Sequence, residues 1–143
     1  MIKIIDFKEQ HFNEGASIFH DTFNACGEKW TVQTCQDYIK ENYNPTFALA
    51  AVDGDTLLGF LMGLPITTQD KKWLYIDTIV VKQEKQQIGV GQLLWEKAIL
   101  KAKEANLSGI RLLANPNFLS YSWYEKLGLK QTGWVELFNT FTN

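Results

Sequence analysis

The sequence is short of the residues that build metal centres, disulfide frameworks and membrane spans. It has two cysteines, Cys26 and Cys35, two histidines, His11 and His20, and three prolines in 143 residues. No Cys-x-x-Cys pair occurs, and the histidines stand too far from the cysteines to suggest a zinc site, so no metal is expected. Two isolated thiols read as free cysteines of a reducing compartment. No apolar run approaches the ~20 residues that cross a bilayer. The first residues, Met1 to Asp6, alternate like a strand and lack the apolar core and cleavage site of a signal peptide. A cytoplasmic protein with no membrane partner is expected. A basic surplus is also missing: 14 Lys and Arg against 16 Asp and Glu leave a net charge of -2. That balance argues against a dedicated nucleic-acid binder.

What is present suits one globular domain. Hydrophobic residues make up 45% and aromatics 13%, enough for a real core at this length. No repeat, low-complexity stretch or linker divides the chain, so residues 1–143 read as a single domain. Ile2, Ile4 and Phe7 mark a first strand. From Gln10 to Ala25, Phe12, Ala16, Phe19 and Phe23 recur at helical spacing. Thr31 is a natural N-cap for a second helix carrying Cys35, Tyr38 and Ile39, which Asn44-Pro45 ends. Phe47 to Val52 is a strand, Asp53-Gly54-Asp55 a hairpin turn, and Leu57 to Leu64 the returning strand, broken by Gly59 and Gly63. Thr67 to Lys72 reads as a polar connection. Trp73 to Val81 is the strongest strand signal, with Trp73, Tyr75, Asp77, Ile79 and Val81 expected on one face. A long helix follows Gly91 to about Asn106, with Leu94, Trp95, Ala98, Ala102 and Ala105 as its apolar stripe. Ile110 to Ala114 is a buried strand, Phe118 to Leu127 a helix capped by Gly128, and Leu129 to Trp134 and Val135 to Phe141 two last strands. This order predicts a mixed α/β sheet.

The segment Lys82 to Gly91 carries the chemistry. A strand ends, a polar loop turns, and glycines open a helix whose first N–H groups have no partner of their own. With the helix dipole they attract an anion, and glycine lets a bulky anion reach the backbone. Gln86 can add a side-chain donor. A P-loop would need Lys-Ser/Thr where Gln92-Leu93 stands, and a dinucleotide fingerprint would need a third glycine after Gly91. On spacing alone, close packing of the helix start on the strand explains the glycines equally well.

In this setting Gln86-Gln87-Ile88-Gly89-Val90-Gly91 resembles the Gln/Arg-x-x-Gly-x-Gly/Ala signature of the GCN5-related N-acetyltransferase (GNAT) family. A second stretch agrees: Asn117, Ser120 and Tyr124, then Glu125-Lys126-Leu127-Gly128-Leu129, where the family shows Asn, a small residue, Tyr and Glu-Lys-x-Gly-Phe. The departures are mild. Gln86 stands for the commoner Arg, Ser120 for Ala, Leu129 for Phe, and Gln83 and Lys85 for a Pro and an aromatic.

The resemblance implies a GNAT-like, mostly antiparallel central sheet of six or seven strands flanked by about four helices. It implies acetyl-CoA as cosubstrate and direct acetyl transfer to an amine. Ile79, Val80 and Val81 would meet the pantetheine arm and the thioester carbonyl. Gln86, Gln87, Ile88, Gly89, Val90, Gly91 and Gln92 would hold the pyrophosphate. Asn117 and Ser120 would lie beside the cofactor, and Tyr124 would be the general acid to the leaving thiolate. Asp77, a carboxylate interrupting an apolar strand, must be paired or functional and is the candidate base, directly or through water. Glu28, in a loop that borders the acceptor in the family, is the second candidate. Structural alternatives stand beside each: a core-packed ring for Tyr124, the cap of a backbone bulge for Asp77, a helix N-cap for Asn117. Trp30, Trp73 and Trp123 read first as core or packing residues; of the three, Trp30 alone sits where it could line an acceptor pocket. A small-molecule amine is the expected acceptor; a protein N-terminus or lysine, or a non-catalytic acyl-CoA-binding module, are the alternatives. A homodimer through the terminal strands, with Trp134, Phe138 and Phe141 exposed, is compatible with the sequence.

Overall fold

The computed structural model describes residues 1–141 of the chain. Two compact units divide it, Met1–Leu113 and the residues from Ala114 onward.

The first unit is built on one sheet of five strands in the order β1-β2-β3-β4-β5. These are β1 (Ile2–Asp6), β2 (Ala48–Asp53), β3 (Thr56–Thr68), β4 (Lys71–Val81) and β5 (Ile110–Leu112). The first four pair antiparallel, and β5 lies parallel to β4. Three helices complete the unit: α1 (Phe12–Ala25), α2 (Val32–Asn42) and α3 (Val90–Glu104). Thr31 caps α2 as expected, its hydroxyl accepting the Thr34 N–H at 3.0 Å while the Thr34 hydroxyl accepts the Thr31 N–H at 3.0 Å. That reciprocal pair satisfies two donors at the helix start.

β2 is buried on both faces. Ala48, Ala50 and Val52 join one core with Ala16 and Phe19 of α1, Cys35 and Ile39 of α2, and Phe60 of β3. Phe7 and Phe60 stack in that core, ring centres 4.6 Å apart and nearly parallel. Leu49 and Ala51, equally buried, point to the opposite face. There α3 packs with Val90, Leu94, Trp95, Ala98 and Ala102, all buried. Each large apolar side chain so buried contributes ~1.5–3 kcal/mol. Ala105, expected on that stripe, is the exposed C-cap residue of α3.

The central hairpin departs from expectation in two ways. Residues 67–72 are not a connection: β3 runs to Thr68 and β4 begins at Lys71, joined by Gln69-Asp70 with Gln69 in the left-handed region. Gly59 and Gly63 do not break β3. Instead the register shifts opposite Gly63: Met62 pairs with Thr78 and Gly63 with Ile76, leaving Asp77 as an extra residue in β4. A Cβ on Gly63 would come within 3.0 Å of the Tyr75 carbonyl oxygen, so glycine admits the bulged strand there.

A bulge also reverses which face the following residues use. Residues paired across a ladder project to the same side. Thr78 and Val80, partners of Met62 and Phe60, therefore face α1 and α2, and Val80 belongs to that core. Ile79 and Val81 face the other way. Tyr75 and Asp77 thus share the α1/α2 side, and the expected five-residue face ends at Asp77.

The second unit holds α4 (Leu119–Lys126). The Gly128 N–H donates to the Glu125 carbonyl at 3.0 Å and the Leu129 N–H to that of Tyr124 at 3.1 Å. With Gly128 at positive φ, this is the helix stop expected of that glycine. The two terminal strands expected over 129–134 and 135–141 are not formed, which leaves five strands among the described residues rather than six or seven. Apolar, β-branched composition makes a strand only when a ladder and a buried face are supplied. Here Trp134, Val135, Leu137, Phe138 and Phe141 are all exposed.

Candidate active site

β4 is much longer than its outer neighbour. The β4–β5 ladder ends with Ile76 opposite Leu112, while β4 continues to Val81. Residues 77–81 therefore present an outer edge that no strand pairs among the described residues. Backbone groups on such an edge accept an extended ligand as an added strand. Asp77, Ile79, Val80 and Val81, all singled out from the sequence, lie on this stretch.

The loop beyond Val81 leads into α3. Gln86 does not aim its amide outward: Nε2 donates to the Val81 carbonyl at 3.0 Å and closes the turn. Gln87 and Gly89 both have positive φ, 65° and 96°, a conformation natural to glycine and strained for other residues. Among the described residues, the N–H groups of Gln87, Ile88, Gly89, Val90, Gly91 and Gln92 donate to no protein acceptor; the next bond is from Leu93 N–H to the Gly89 carbonyl at 3.1 Å. These donors lie at the start of α3, where the helix dipole is positive, the setting of a backbone anion site. Gln92 uses its side chain on Glu96, at 3.1 Å, and Ile88 is exposed. What this segment offers a ligand is chiefly backbone, with the exposed Gln87 side chain beside it.

The opposite end of the open edge is made of side chains. The Tyr38 hydroxyl donates to Asp77 Oδ1 at 2.9 Å, and the Thr78 hydroxyl donates to Oδ2 at 2.9 Å. Burial, followed by the Asp77 carboxylate, pushes the Tyr38 phenol well above its ordinary range, so it stays a donor. Asp77 is thus both the residue of the bulge and a carboxylate fixed by two donors. The carboxylate accepts these two side-chain hydroxyls and, among the described residues, no backbone N–H of the bulge.

From Tyr38 the wall continues to the α1–α2 loop. The Trp30 ring meets that of Tyr38 edge-on, centres 5.2 Å apart, and its indole N–H donates to Glu28 Oε1 at 2.9 Å. Asn24 pins the loop by accepting the Trp30 N–H at 2.8 Å and donating to the Trp30 carbonyl at 2.9 Å. Both proposed bases, Asp77 and Glu28, therefore belong to one surface. Among the described residues neither carboxylate has a Lys or Arg within ion-pair distance.

Tyr38 and Thr78 were not legible as site residues. Tyr38 sits in the apolar stripe of α2, and its polar tip is the only hint that one end must find a partner. Arg111 was also missed. It pairs with Tyr75 across the β4–β5 ladder and lies over the Trp73 ring at 4.5 Å, with its Nε buried and unpartnered among the described residues. A separate open recess of about 330 Å³, lined among others by Glu14, Asp21, Lys82 and Glu84, contains none of the expected catalytic side chains.

In the second unit, Asn117 is not the N-cap of α4. Its N–H donates to Asn115 Oδ1 at 2.9 Å, and Phe118 occupies the cap position. Asn117 and Ser120 are exposed. Tyr124 lies in the last turns of α4, half-buried, with its ring against Trp123. Burial pushes its phenol up to about 12.

The sequence from residue 14 to residue 129 matches the acetyltransferase (GNAT) family. The chain belongs to that family. Solved structures agree in fold. A possible acetyltransferase from Clostridium difficile 630 superposes with a TM-score of 0.82 at 13% identity, covering 100% of this chain and 99% of the other. A predicted acetyltransferase with acetyl-CoA from Clostridium acetobutylicum gives 0.79 at 17%, covering 96% of each. A transcriptional regulator from Bacillus halodurans C-125 gives 0.78 at 20%, covering 99% and 100%. At these identities the likeness is one of fold. No curated protein matches the sequence itself at a significant level. The GNAT match runs through both motifs read from the sequence, Gln86–Gly91 and Asn117–Leu129. Among the described residues no helix is long and apolar enough to cross a membrane.

Proposed function

We propose that this GNAT domain transfers an acetyl group from acetyl-CoA to the primary amine of a small molecule in the cytoplasm. The observation that carries the reading is the run of unpartnered N–H donors from Gln87 to Gln92, set directly after the unpaired outer edge of β4. A pyrophosphate fits the first, and an extended amide-bearing arm fits the second. The thioester then lies toward Asp77, where the ladder with β5 closes.

The chemistry follows from the charges that must move. An ammonium has to lose a proton before its nitrogen can attack, and Asp77 accepts it, through water where the reach is too long. A C–N bond forms and the carbonyl oxygen takes up charge, for which N–H groups on the open β4 edge are the donors. The C–S bond then breaks. The Asn117–Leu129 motif assigns Tyr124, neutral at working pH, the role of hydrogen-bond donor to the departing sulfur. A phenol near 12 is a weaker acid than a thiol near about 8.5, so its role is to stabilise the developing thiolate. The proton that ends on sulfur comes from the new N–H cation. From an ammonium and the thioester, the products are amide, CoA thiol and one proton.

Release of CoA thiol from acetyl-CoA across a panel of amines tests this directly. Amine-dependent release supports it. Tight acetyl-CoA binding with no release against any amine would instead mark a non-catalytic acyl-CoA-binding module.

A further inference from the structure

We infer that the acceptor is a dication, an aliphatic amine carrying a second ammonium group, and that Glu28 and Trp30 recognise the ammonium that does not react. The inference rests on the acetyl-transfer reading above and names the substrate class for that same site. Asp77 stands where the open β4 edge meets the β4–β5 ladder, so the reacting nitrogen belongs beside it. The surface leading away from Asp77 runs over Tyr38 and Trp30 to Glu28, through contacts of 2.9, 5.2 and 2.9 Å. It begins and ends in a carboxylate, and its middle is aromatic. Ring faces and carboxylates both attract ammonium, while the rings also cover an aliphatic chain.

Three further features give the Glu28 end a preference for positive charge. Glu28 commits Oε1 to the Trp30 indole and makes no ion pair among the described residues. The loop lies at the C-terminal, negative end of α1, whose last turn contains no basic residue. Asn24 holds Trp30 from both sides of its peptide, so the recognition surface is formed before the ligand arrives. Lys29, in the same loop, is exposed to solvent. An acceptor ending in a carboxylate would have to place it against Glu28, or run the other way along the Asp77 face to Arg111, which pairs with Tyr75 and lies over Trp73.

The test compares three acceptors of one length with the whole protein: 1,4-diaminobutane, 1-aminobutane and 4-aminobutanoate. CoA release should show kcat/KM for the diamine about tenfold above that of the monoamine, as expected for one ion pair with aromatic cover. The amino acid should be poorest. Glu28→Gln keeps an acceptor for the Trp30 indole and removes the charge. It should reduce the diamine-to-monoamine ratio to about twofold or less, through KM for the diamine. Equal kcat/KM for diamine and monoamine would overturn the inference while leaving acetyl transfer to amines intact. So would a ratio that survives Glu28→Gln, or a preference for the amino acid. No release with any amine would contradict the reading on which the inference rests, and the inference with it.

Discussion

The two ends of the open β4 edge are built in different currencies. At the Val81 end, Gln87 to Gln92 present backbone N–H groups, while the Gln86 side chain is turned onto Val81 and that of Gln92 onto Glu96. At the Asp77 end, side chains from the α1–α2 loop, α2 and β4 meet, and each position depends on a hydrogen bond or ring contact with another. A backbone site asks only for conformation, so many sequences can hold the same donor. A side-chain site asks for particular residues, so the acceptor can differ from one relative to the next.

This contrast can be broken by substitution. The largest effect is expected at the side-chain end. Asp77→Asn should lower kcat/KM for the amine by about 100-fold, with acetyl-CoA affinity nearly preserved in calorimetry. Turnover within about twofold of the parent would clear Asp77 as the base. Gly89→Val forces a branched residue into a left-handed backbone. It should weaken acetyl-CoA binding by about tenfold with little effect on amine KM, provided circular dichroism shows the fold intact. Tyr38→Phe removes one of the two donors fixing Asp77. It should lower kcat by about fivefold, leaving acetyl-CoA affinity alone. Gln86→Ala should change acetyl-CoA affinity by no more than about twofold, because its amide serves the turn and not the ligand. A large loss there would show that the phosphate site is made of side chains after all.

Tyr124 belongs to neither end and can be followed through pH. Its folded phenol titrates near 12 against an ordinary 10. A raised folded value means the contribution to stability is complete below pH 10 and lost as pH rises toward 12. Denaturant midpoints for the whole chain should fall over that window, and less steeply in Tyr124→Phe. An identical slope would place the burial effect elsewhere.

The sequence made the helix start at Gln86 to Gly91 readable because glycine marks backbone conformation. Gly89 between a polar loop and an apolar stripe announces a helix start with open amides, and the left-handed geometry is there. The helices and inner strands were readable for a similar local reason: spacing and caps such as Thr31 are properties of consecutive residues. The bulge at Asp77 was not, because it depends on how β3 and β4 slide past each other, which strict alternation along β4 conceals. The role of Tyr38 was hidden for the same cause, since its partner lies 39 residues away. Residues 129–141 misled in the other direction. Their composition is that of strands, yet among the described residues no ladder takes them up.

The central claim is that backbone amides after β4 hold the donor. Backbone amide resonances of the labelled protein, followed as acetyl-CoA is added, test it most directly. The largest shifts should fall on Gln87 to Gln92 and on residues 77–81, with β1 unaffected. Saturable binding that leaves Gln87 to Gln92 unmoved would contradict it.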